Sequence, residues 1–347
     1  MKFDLFLTPD SKPLSQEETS QRKADHIQLA LESQVSANDR RFNYEPMLYA
    51  HPQAESQPFN FLGKKMRNPI WASSMTGGAQ HAGKINKNLA LACGKFGLGM
   101  GLGSCRILLG SDDFLRDFQL RTYIGDEAPL FANLGIAQVE QMLEAGTQSQ
   151  IIELIDKTET DGLIVHVNPL QEWLQPEGDR ISHPPIETIK KLLDVLDKPL
   201  IIKEVGQGFG PKSLEELMRL PLDAIDFGAF GGTNFAILEL LRSDQQSVNS
   251  YQDLAKLGHT ADEMILDINR LIEVESDINV KSFIISGGVQ SFLDGYYYME
   301  SLKAPSIYGQ ASALLKPALV SQELVEEYLE KQVAGLRLAN QYLTIKK

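Results

Sequence analysis

The chain has 347 residues, of which 43% are hydrophobic and 23% charged, a composition typical of a globular protein with one large domain or two small ones. Its formal net charge of −13 excludes a general nucleic-acid binder, which needs a basic surface. The two cysteines, Cys93 and Cys105, are too few for a disulfide framework and do not have the spacing of a metal site, which favours reduced thiols.

The N-terminal region is expected to form an extension, not a targeting signal. The apolar patch from Met1 to Leu7 is too short for a secretory signal, and no window has the roughly 20 apolar residues that a membrane span needs. A cytoplasmic protein without membrane partners is therefore expected. Residues 1–60 are polar and carry the basic pair Arg22 and Lys23, and we expect this extension to pack on a domain formed by residues 61–347.

Eight short apolar runs predict strands, and amphipathic segments that predict helices lie between most of them. The strands are predicted at 69–74, 98–101, 129–133, 162–166, 199–204, 224–228, 283–287 and 305–308. Helices are predicted at 84–95, 139–145, 186–196, 214–220, 261–274 and 321–347. Eight strand–helix repeats predict a parallel sheet closed into a TIM (β/α)8 barrel, with an open doubly wound sheet as the alternative.

In such a barrel, functional residues collect at the C-terminal ends of the strands. The fourth predicted strand ends in the most informative stretch of the chain, His166 to Glu172. Glu172 offers a hard oxygen ligand of the kind that Mg²⁺ takes, and His166, Asn168 and Gln171 can hold phosphate or carboxylate oxygens by hydrogen bonds. The alternative is a polar turn in which Asn168 only caps a helix.

Glycine-rich turns after the seventh and eighth strands predict a phosphate cradle, because glycine lets backbone N–H groups and helix N-termini approach an anion. Lys203 ends the fifth strand. A phosphate cradle and this lysine together suit FMN lying across the barrel mouth, with the ammonium group stabilising negative charge on the reduced ring. A lysine that forms a Schiff base, as in aldolase barrels, is the alternative.

Two further groups of side chains could bind an anionic substrate. Arg22 and Lys23, followed by His26, form a basic cluster on an acidic protein, although a solvated helix start is the alternative interpretation. Ser104 and Arg106 form a second donor pair, in which Arg106 suits bidentate phosphate binding. With the Glu172 stretch, these groups predict a pocket for a diphosphate and Mg²⁺ beside a flavin.

The motifs occur in a fixed order over nearly the whole chain: Arg-Lys-x-Asp-His at 22–26, Ser-Met-Thr-Gly-Gly at 74–78, Gly-Ser-x-Arg at 103–106, Asn-Leu-Gly at 133–135, His-x-Asn-Pro-Leu-Gln-Glu at 166–172, Gln-Pro-Glu-Gly-Asp-Arg at 175–180, Lys-Glu-Val-Gly at 203–206, Gly-Gly-Thr at 231–233 and Ser-Gly-Gly at 286–288. In this order they resemble the type 2 isopentenyl-diphosphate isomerase family, the flavin-dependent form. The motif at 166–172 is specific, whereas the glycine pairs are not.

The resemblance implies an isomerase that interconverts isopentenyl and dimethylallyl diphosphate, with reduced FMN as acid and base, Mg²⁺ on the diphosphate and NADPH as a reductant. A homo-oligomer is also expected. Lys203, Gln171 and His166 become the candidate catalytic residues. The implied flavin contacts are Ser74, Met75, Thr76, Ser104, Asn133, Lys203, Thr233, Gly288, Gln290, Ala311 and Ser312. The implied diphosphate contacts are Arg22, Lys23, Ser104, Arg106, His166, Asn168 and Gln171, with Glu172 on Mg²⁺.

The chain departs from the family pattern at three places. Cys105 stands where the family usually has glutamine, Gln290 stands where it often has arginine, and the sixth strand lacks a serine near Gly228. At position 290, phosphate binding would then depend more on backbone N–H groups.

Two other functions stay open. One is an FMN-dependent 2-hydroxy-acid oxidase or related barrel oxidoreductase, in which His166 would be the base. The other is a catalytically silent flavin or phosphate-binding protein.

Overall fold

The computed structural model describes residues 15–35, 37–52, 57–74, 81–243 and 245–346. The chain divides into two compact units. The described part of the smaller unit runs from residue 15 to Asn43 and includes Lys346, and the larger unit begins at Tyr44. The smaller unit contains helix α1 (Gln16–Leu29), which begins with a capping box. Ser15 accepts the Glu18 N–H at 3.2 Å, and the Glu18 carboxylate accepts the Ser15 N–H at 2.8 Å. Strand β1 (Phe42–Tyr44) follows along the chain.

The larger unit is built around a closed barrel of eight parallel strands, as predicted. After the hairpin strands β2 (Phe59–Phe61) and β3 (Lys64–Met66), the barrel strands follow one another around the ring in chain order, and the last pairs with the first. They are β4 (Ile70–Ala72), β5 (Gly99–Gly101), β6 (Leu130–Gly135), β7 (Gly162–Val167), β8 (Leu200–Glu204), β9 (Ala224–Asp226), β10 (Phe283–Ile285) and β11 (Ser306–Gln310). This closure excludes the open doubly wound sheet.

Helices connect the strands. They are α2 (Ala82–Phe96), α3 (Arg121–Ile124), α4 (Ile136–Ala145), α5 (Ser149–Lys157), α6 (Pro169–Leu174), α7 (Pro185–Leu193), α8 (Pro211–Met218), α9 (Phe235–Arg242), α10 (Gln245–Tyr251), α11 (Ala261–Val274), α12 (Phe292–Ser301), α13 (Ser312–Ala318) and α14 (Gln322–Tyr342). Three short 3-10 helices lie at Arg106–Leu109, Leu115–Asp117 and Leu254–Lys256. Within the described ranges, no helix is long and apolar enough to cross a membrane.

The prediction of a single helix from Ser321 to the end of the chain is wrong at its C-terminal end. Helix α14 ends at Tyr342, and strand β12 (Leu343–Ile345) follows it. The β-branched side chains of Thr344 and Ile345 favour extended backbone there. In addition, the Tyr296 hydroxyl donates to the Leu343 carbonyl at 2.7 Å, which holds the chain at the point where the helix stops.

The barrel interior is filled by inward-facing apolar residues that belong to one buried cluster. Seven strands contribute Trp71, Phe131, Ile164, Ile201, Ala224, Ile284 and Ile307. The Trp71 and Phe131 rings meet edge to face with centroids 6.0 Å apart. Strand β5 presents Gly99 at this level, where a Cβ atom would lie 2.3 Å from the Trp71 ring, so the glycine makes room for the indole.

The β2–β3 hairpin covers the N-terminal end of the barrel. Phe61 and Met66 from this hairpin belong to the same buried cluster as the barrel residues. The Lys65 N–H donates to the Glu127 carbonyl at 3.1 Å, just before β6 begins, which places the hairpin at the end where the strands start. The hairpin does not cover the opposite end, where the parallel strands finish and where barrel proteins carry their functional sites.

We expect Phe131→Ala to lower the free energy of unfolding by about 3–5 kcal/mol, because it removes a fully buried ring from the centre of the cluster and leaves a cavity. Urea unfolding followed by circular dichroism measures the change. Phe114→Ala is the matched control, since Phe114 is 37% exposed, and we expect it to cost less than about 1 kcal/mol. Equal losses in the two variants would contradict the assignment of Phe131 to the barrel core.

Candidate active site

A ring of polar side chains lies above the apolar cluster at the C-terminal mouth of the barrel. Strand side chains alternate between two faces, so the residue two positions after each inward-facing apolar residue also points inward. These next positions hold Ser73, Gly101, Asn133, His166, Lys203, Asp226, Ser286 and Gly309. Contacts around the ring agree with this: a Cβ atom on Gly309 would lie 2.8 Å from Ser73 Oγ and 2.9 Å from Ser286 Cβ.

His166 is neutral in this ring. Burial and the nearby Lys203 ammonium group lower the pKa of His166 to about 3. Asn133 donates its Nδ2 to the Leu102 carbonyl at 3.1 Å, which leaves Asn133 Oδ1 to accept from His166 Nδ1 at 2.9 Å. The proton therefore lies on Nδ1, and Nε2 keeps its lone pair. Gly135 leaves room for the imidazole, because a Cβ there would lie 3.0 Å from Nε2.

Lys203 is buried on β8, between His166 on β7 and Asp226 on β9, which pair with it in register. Its Nζ donates to the Glu204 carbonyl at 2.7 Å. The Glu204 side chain points to the other face of the strand, where one carboxylate oxygen accepts the backbone N–H groups of residues 206–208 at 2.6 to 2.8 Å. Glu204 thus stabilises the turn after β8, and its neighbour Lys203 is directed into the mouth.

The stretch after β7 brings its predicted ligands together. Asn168 occupies the cap position of α6, but its side chain makes no capping hydrogen bond. Instead, its Nδ2 donates to Gln171 Oε1 at 3.1 Å and to Glu172 Oε1 at 3.0 Å. Asn168 Oδ1 is buried without a hydrogen-bond partner in the described part of the chain. The alternative in which Asn168 only caps a helix is therefore wrong.

Glu239 joins this cluster, although the sequence analysis did not identify it. Gln171 Nε2 donates to Glu239 Oε1 at 3.1 Å, and Arg242 Nη1 lies 3.1 Å from Glu239 Oε2. Glu239 is 3% exposed, on α9. A local signal existed, since this glutamate interrupts the otherwise apolar run from Phe235 to Leu241, but its partner lies 68 residues earlier in the chain.

Asp179 is the second residue that the sequence analysis did not assign, although it lies in the motif at 175–180. Its backbone N–H donates to Glu172 Oε2 at 2.7 Å. Its carboxylate accepts Gln138 Nε2 at 2.7 Å and forms an ion pair with Arg106 Nη1 at 2.7 Å. Asp179 therefore connects the predicted metal ligand, Glu172, with a predicted diphosphate ligand, Arg106.

A cavity of about 330 Å³ opens beside Lys203. Its lining includes seven of the predicted flavin contacts: Ser74, Lys203, Thr233, Gly288, Gln290, Ala311 and Ser312. Of the other predicted contacts, Ser104 is exposed after β5, Asn133 is buried against His166, and Met75 and Thr76 lie outside the described residues. Phe235 and Leu238 of α9 also line the cavity, so α9 connects it to the cluster around Gln171 through Glu239.

The turn after β10 depends on glycine. Gly287 and Gly288 have φ angles of +89° and +74°, and a Cβ on Gly287 would lie 2.1 Å from the Ala229 carbonyl oxygen. The Gln290 N–H donates to Asp294 Oδ2 at 3.1 Å beside the N-terminal cap of α12, and the Gln290 side chain is exposed. The contribution of Gln290 to a phosphate site therefore stays a prediction.

Gly228, near which the family pattern has a serine, is itself required by the backbone. Gly228 has a φ angle of +50°, and a Cβ there would lie 2.0 Å from the Glu204 carbonyl oxygen, so a side chain does not fit this backbone. A hydroxyl group nevertheless contacts this position, because Ser286 Oγ accepts the Gly228 N–H at 3.0 Å.

Three residues discussed in the sequence analysis, Arg22, Lys23 and Cys105, make none of the contacts described above. Arg22 and Lys23 are exposed on α1, in the unit that ends at Asn43, and their contact with a substrate stays a prediction. Cys105 is buried, and burial raises the pKa of its thiol to about 12, which makes it unreactive.

Comparisons with known proteins agree with the motif pattern. No protein-family model matches the chain. An isopentenyl-diphosphate delta-isomerase of Rickettsia felis is 34% identical over 335 residues, covering 94% of this chain and 93% of the relative. Its counterpart from Rickettsia prowazekii is 32% identical over 334 residues, covering 94% of each. The chain belongs to the isopentenyl-diphosphate delta-isomerase family. The family resemblance drawn from the motifs is thereby confirmed.

Solved structures share the fold at low sequence identity. A flavocytochrome b2 variant with bound sulfite superimposes with a TM-score of 0.61 at 13% identity and covers 95% of this chain and 88% of that one. A mandelate oxidase variant with a monooxide FMN adduct gives a TM-score of 0.58 at 10% identity, with 88% of each chain covered. At such identities the likeness supports the barrel fold of this isomerase family member.

We expect the His166 imidazole to stay neutral between pH 5 and 8 and to carry its proton on Nδ1. The pKa of His166 is about 3 in the folded protein and about 6.5 in an unfolded chain. The neutral imidazole therefore stabilises the folded protein fully above pH 6.5, and this stabilisation is lost as the pH falls toward 3. Nitrogen-15 NMR of labelled histidine, assigned with His166→Gln, measures both properties. A titration midpoint between pH 5 and 7 in the ligand-free protein would contradict this.

Proposed function

We propose that the protein interconverts isopentenyl diphosphate and dimethylallyl diphosphate, with reduced FMN as acid and base and Mg²⁺ on the diphosphate. The single observation that carries the proposal is the cluster of oxygen ligands formed by Asn168, Gln171 and Glu172, which α9 connects to the cavity beside Lys203. The family of the chain supports the choice of substrate.

The residues present fit a flavin. Lys203, Ser74 and Thr233 would hold its ring system, and Gly288, Ala311 and Ser312 its phosphate, with Gln290 beside them. Gly287 packs closely against the Ala229 backbone, and the neighbouring Gly288 lines the cavity without a side chain, which suits close approach of an anion to the backbone there. When bound, reduced FMN would supply the acid and base that move the double bond, and NADPH would keep it reduced. The Lys203 ammonium group would stabilise negative charge at the ring.

The donor set near Glu172 also fits Mg²⁺. Each Glu172 oxygen accepts one N–H, from Asn168 and from Asp179, and keeps a second lone pair for a metal. The unpartnered Asn168 Oδ1 is a further hard oxygen in the same cluster. These two residues would hold Mg²⁺ against the substrate diphosphate, whose oxygens would complete the coordination.

The diphosphate would be held by Arg22, Lys23, Ser104, Arg106 and His166. His166 binds a phosphate oxygen as a donor only if Nε2 also carries a proton. The negative charge of the diphosphate favours this, since an opposite charge within a few ångströms raises the pKa of an imidazole. Substrate binding is therefore expected to raise the pKa of His166.

Gln171 is the candidate that would contact the reacting part of the substrate. Its amide group is oriented from both ends, because Oε1 accepts from Asn168 and Nε2 donates to Glu239. Glu239 would therefore position Gln171, and Arg242 forms an ion pair with the buried Glu239 carboxylate. Such fixed orientation is what a proton transfer at a defined carbon requires.

The oxidase alternative would use His166 as a general base. A pKa of about 3 makes His166 a weak base at neutral pH, which favours the isomerase.

We expect the purified protein to bind FMN and, when reduced with Mg²⁺ present, to form dimethylallyl diphosphate from isopentenyl diphosphate without producing peroxide. Absorbance spectra and chromatography of the products measure the two properties. Peroxide formation from a 2-hydroxy acid would favour the oxidase, and bound flavin without either activity would favour a silent binding protein.

We expect Glu172→Gln to lower kcat/KM by about 10–100-fold or more at limiting Mg²⁺ while FMN stays bound, because the variant loses a charged metal ligand. Activity measured across a Mg²⁺ titration gives the effect. Glu187→Gln, the same change at an exposed position in the first turn of α7, is the matched control and should leave the titration unchanged. An unchanged Mg²⁺ dependence in Glu172→Gln would remove Glu172 from the metal site.

A further inference from the structure

Asp226 is a buried carboxylate in the polar ring to which no role has been given so far. It ends β9, its exposure is 0%, and it points inward because it lies two residues after Ala224 of the core cluster. A buried, charged side chain is expensive unless it is paired, so its position at the barrel mouth requires a reason.

One oxygen of Asp226 is tightly held. Ser286 Oγ donates a short hydrogen bond to Asp226 Oδ1 and accepts the Gly228 N–H at 3.0 Å. Because the hydroxyl proton is directed at the carboxylate by the neighbouring N–H, Ser286 favours the ionised form of Asp226. Asp226 Oδ2 is buried and has no hydrogen-bond partner among the described residues.

Lys203 is the cation that faces Asp226. The two residues are register partners on adjacent strands, and both point inward. Burial raises the pKa of Asp226 above its ordinary value, and the Lys203 ammonium group and the Ser286 hydroxyl offset only part of that rise, so the charge of Asp226 opposes Lys203 at a pH above this raised pKa. Of the other titratable groups nearby, His166 is neutral, and the Glu204 carboxylate lies on the outer face of β8. Among the described residues of the ring, Asp226 is thus the one acidic group set against the Lys203 charge.

We propose that Asp226 is a positioning residue that acts as the counter-ion of Lys203 and thereby lowers the reduction potential of a flavin bound in the cavity. This inference rests on the flavin proposed above. The reduced ring carries negative charge that the oxidised ring lacks, and Lys203 stabilises that charge. A carboxylate beside Lys203 offsets part of the stabilisation, whereas the oxidised ring is little affected.

The test compares the flavin reduction potentials of wild type, Asp226→Asn and Asp223→Asn, each loaded with FMN. Asp226→Asn keeps the shape and removes the charge. We expect it to raise the affinity for reduced relative to oxidised FMN at least tenfold, which for a two-electron couple corresponds to a potential about 30 mV more positive. Asp223→Asn is the matched control, since Asp223 lies just before the other end of β9, where it pairs with Lys281 at 2.8 Å. It should leave the potential unchanged.

A second variant keeps the test decisive if Asp226→Asn does not fold. Ser286→Ala retains the carboxylate but removes the hydroxyl that favours its ionised form, so it raises the pKa of Asp226. Its potential should be more positive than that of wild type at low pH, and the difference should shrink as the pH rises. An unchanged potential in folded Asp226→Asn, or a pH-independent difference in Ser286→Ala, would overturn the role of Asp226. Wild-type protein that binds no FMN would instead remove the proposed function.

Discussion

The structure depends on one transition along the barrel strands, from an apolar to a polar inward-facing layer within two residues. Below it, Trp71, Phe131 and their neighbours fill the interior and exclude water. Above it, every inward position is a polar residue or a glycine. Because side chains alternate strictly along a strand, the two layers cannot be shifted separately, and the apolar floor holds the polar ring in place. The rigidity of the mouth is therefore a product of core packing.

The net charge of the polar ring at the barrel mouth is small. Lys203 carries the positive charge, Asp226 opposes it from the next strand, and His166 on the other side is held neutral by burial and by the same lysine. Burying an isolated ammonium group in a poorly solvated barrel mouth costs free energy, and a second cation beside it would raise that cost further. A histidine that burial keeps neutral is therefore tolerated on the strand next to Lys203.

Sequence patterns predicted the parts of the protein that are determined by residues close together in the chain. The eight strands were recognisable because buried parallel strands are continuous apolar runs, and α11 begins and ends where its amphipathic pattern indicates. The ligands from Asn168 to Glu172 were visible because they share one turn. Glu239 and Asp226 were missed because their partners, Gln171 and Ser286, are 68 and 60 residues away, and only the closed barrel brings them together.

Asp179 shows how the two halves of the candidate site are connected. Its backbone N–H donates to Glu172, the proposed metal ligand, and its carboxylate pairs with Arg106, a proposed diphosphate ligand. A diphosphate that binds Arg106 must share the guanidinium group with Asp179. That exchange costs little, because the Arg106 side chain is 53% exposed and such an ion pair contributes at most about 1 kcal/mol. The free-energy cost of moving Asp179 itself is larger, since its N–H would leave a buried carboxylate with one donor fewer. If a diphosphate binds Arg106 as proposed, the Asp179 backbone would therefore stay on Glu172, and the proposed metal ligand would keep its orientation.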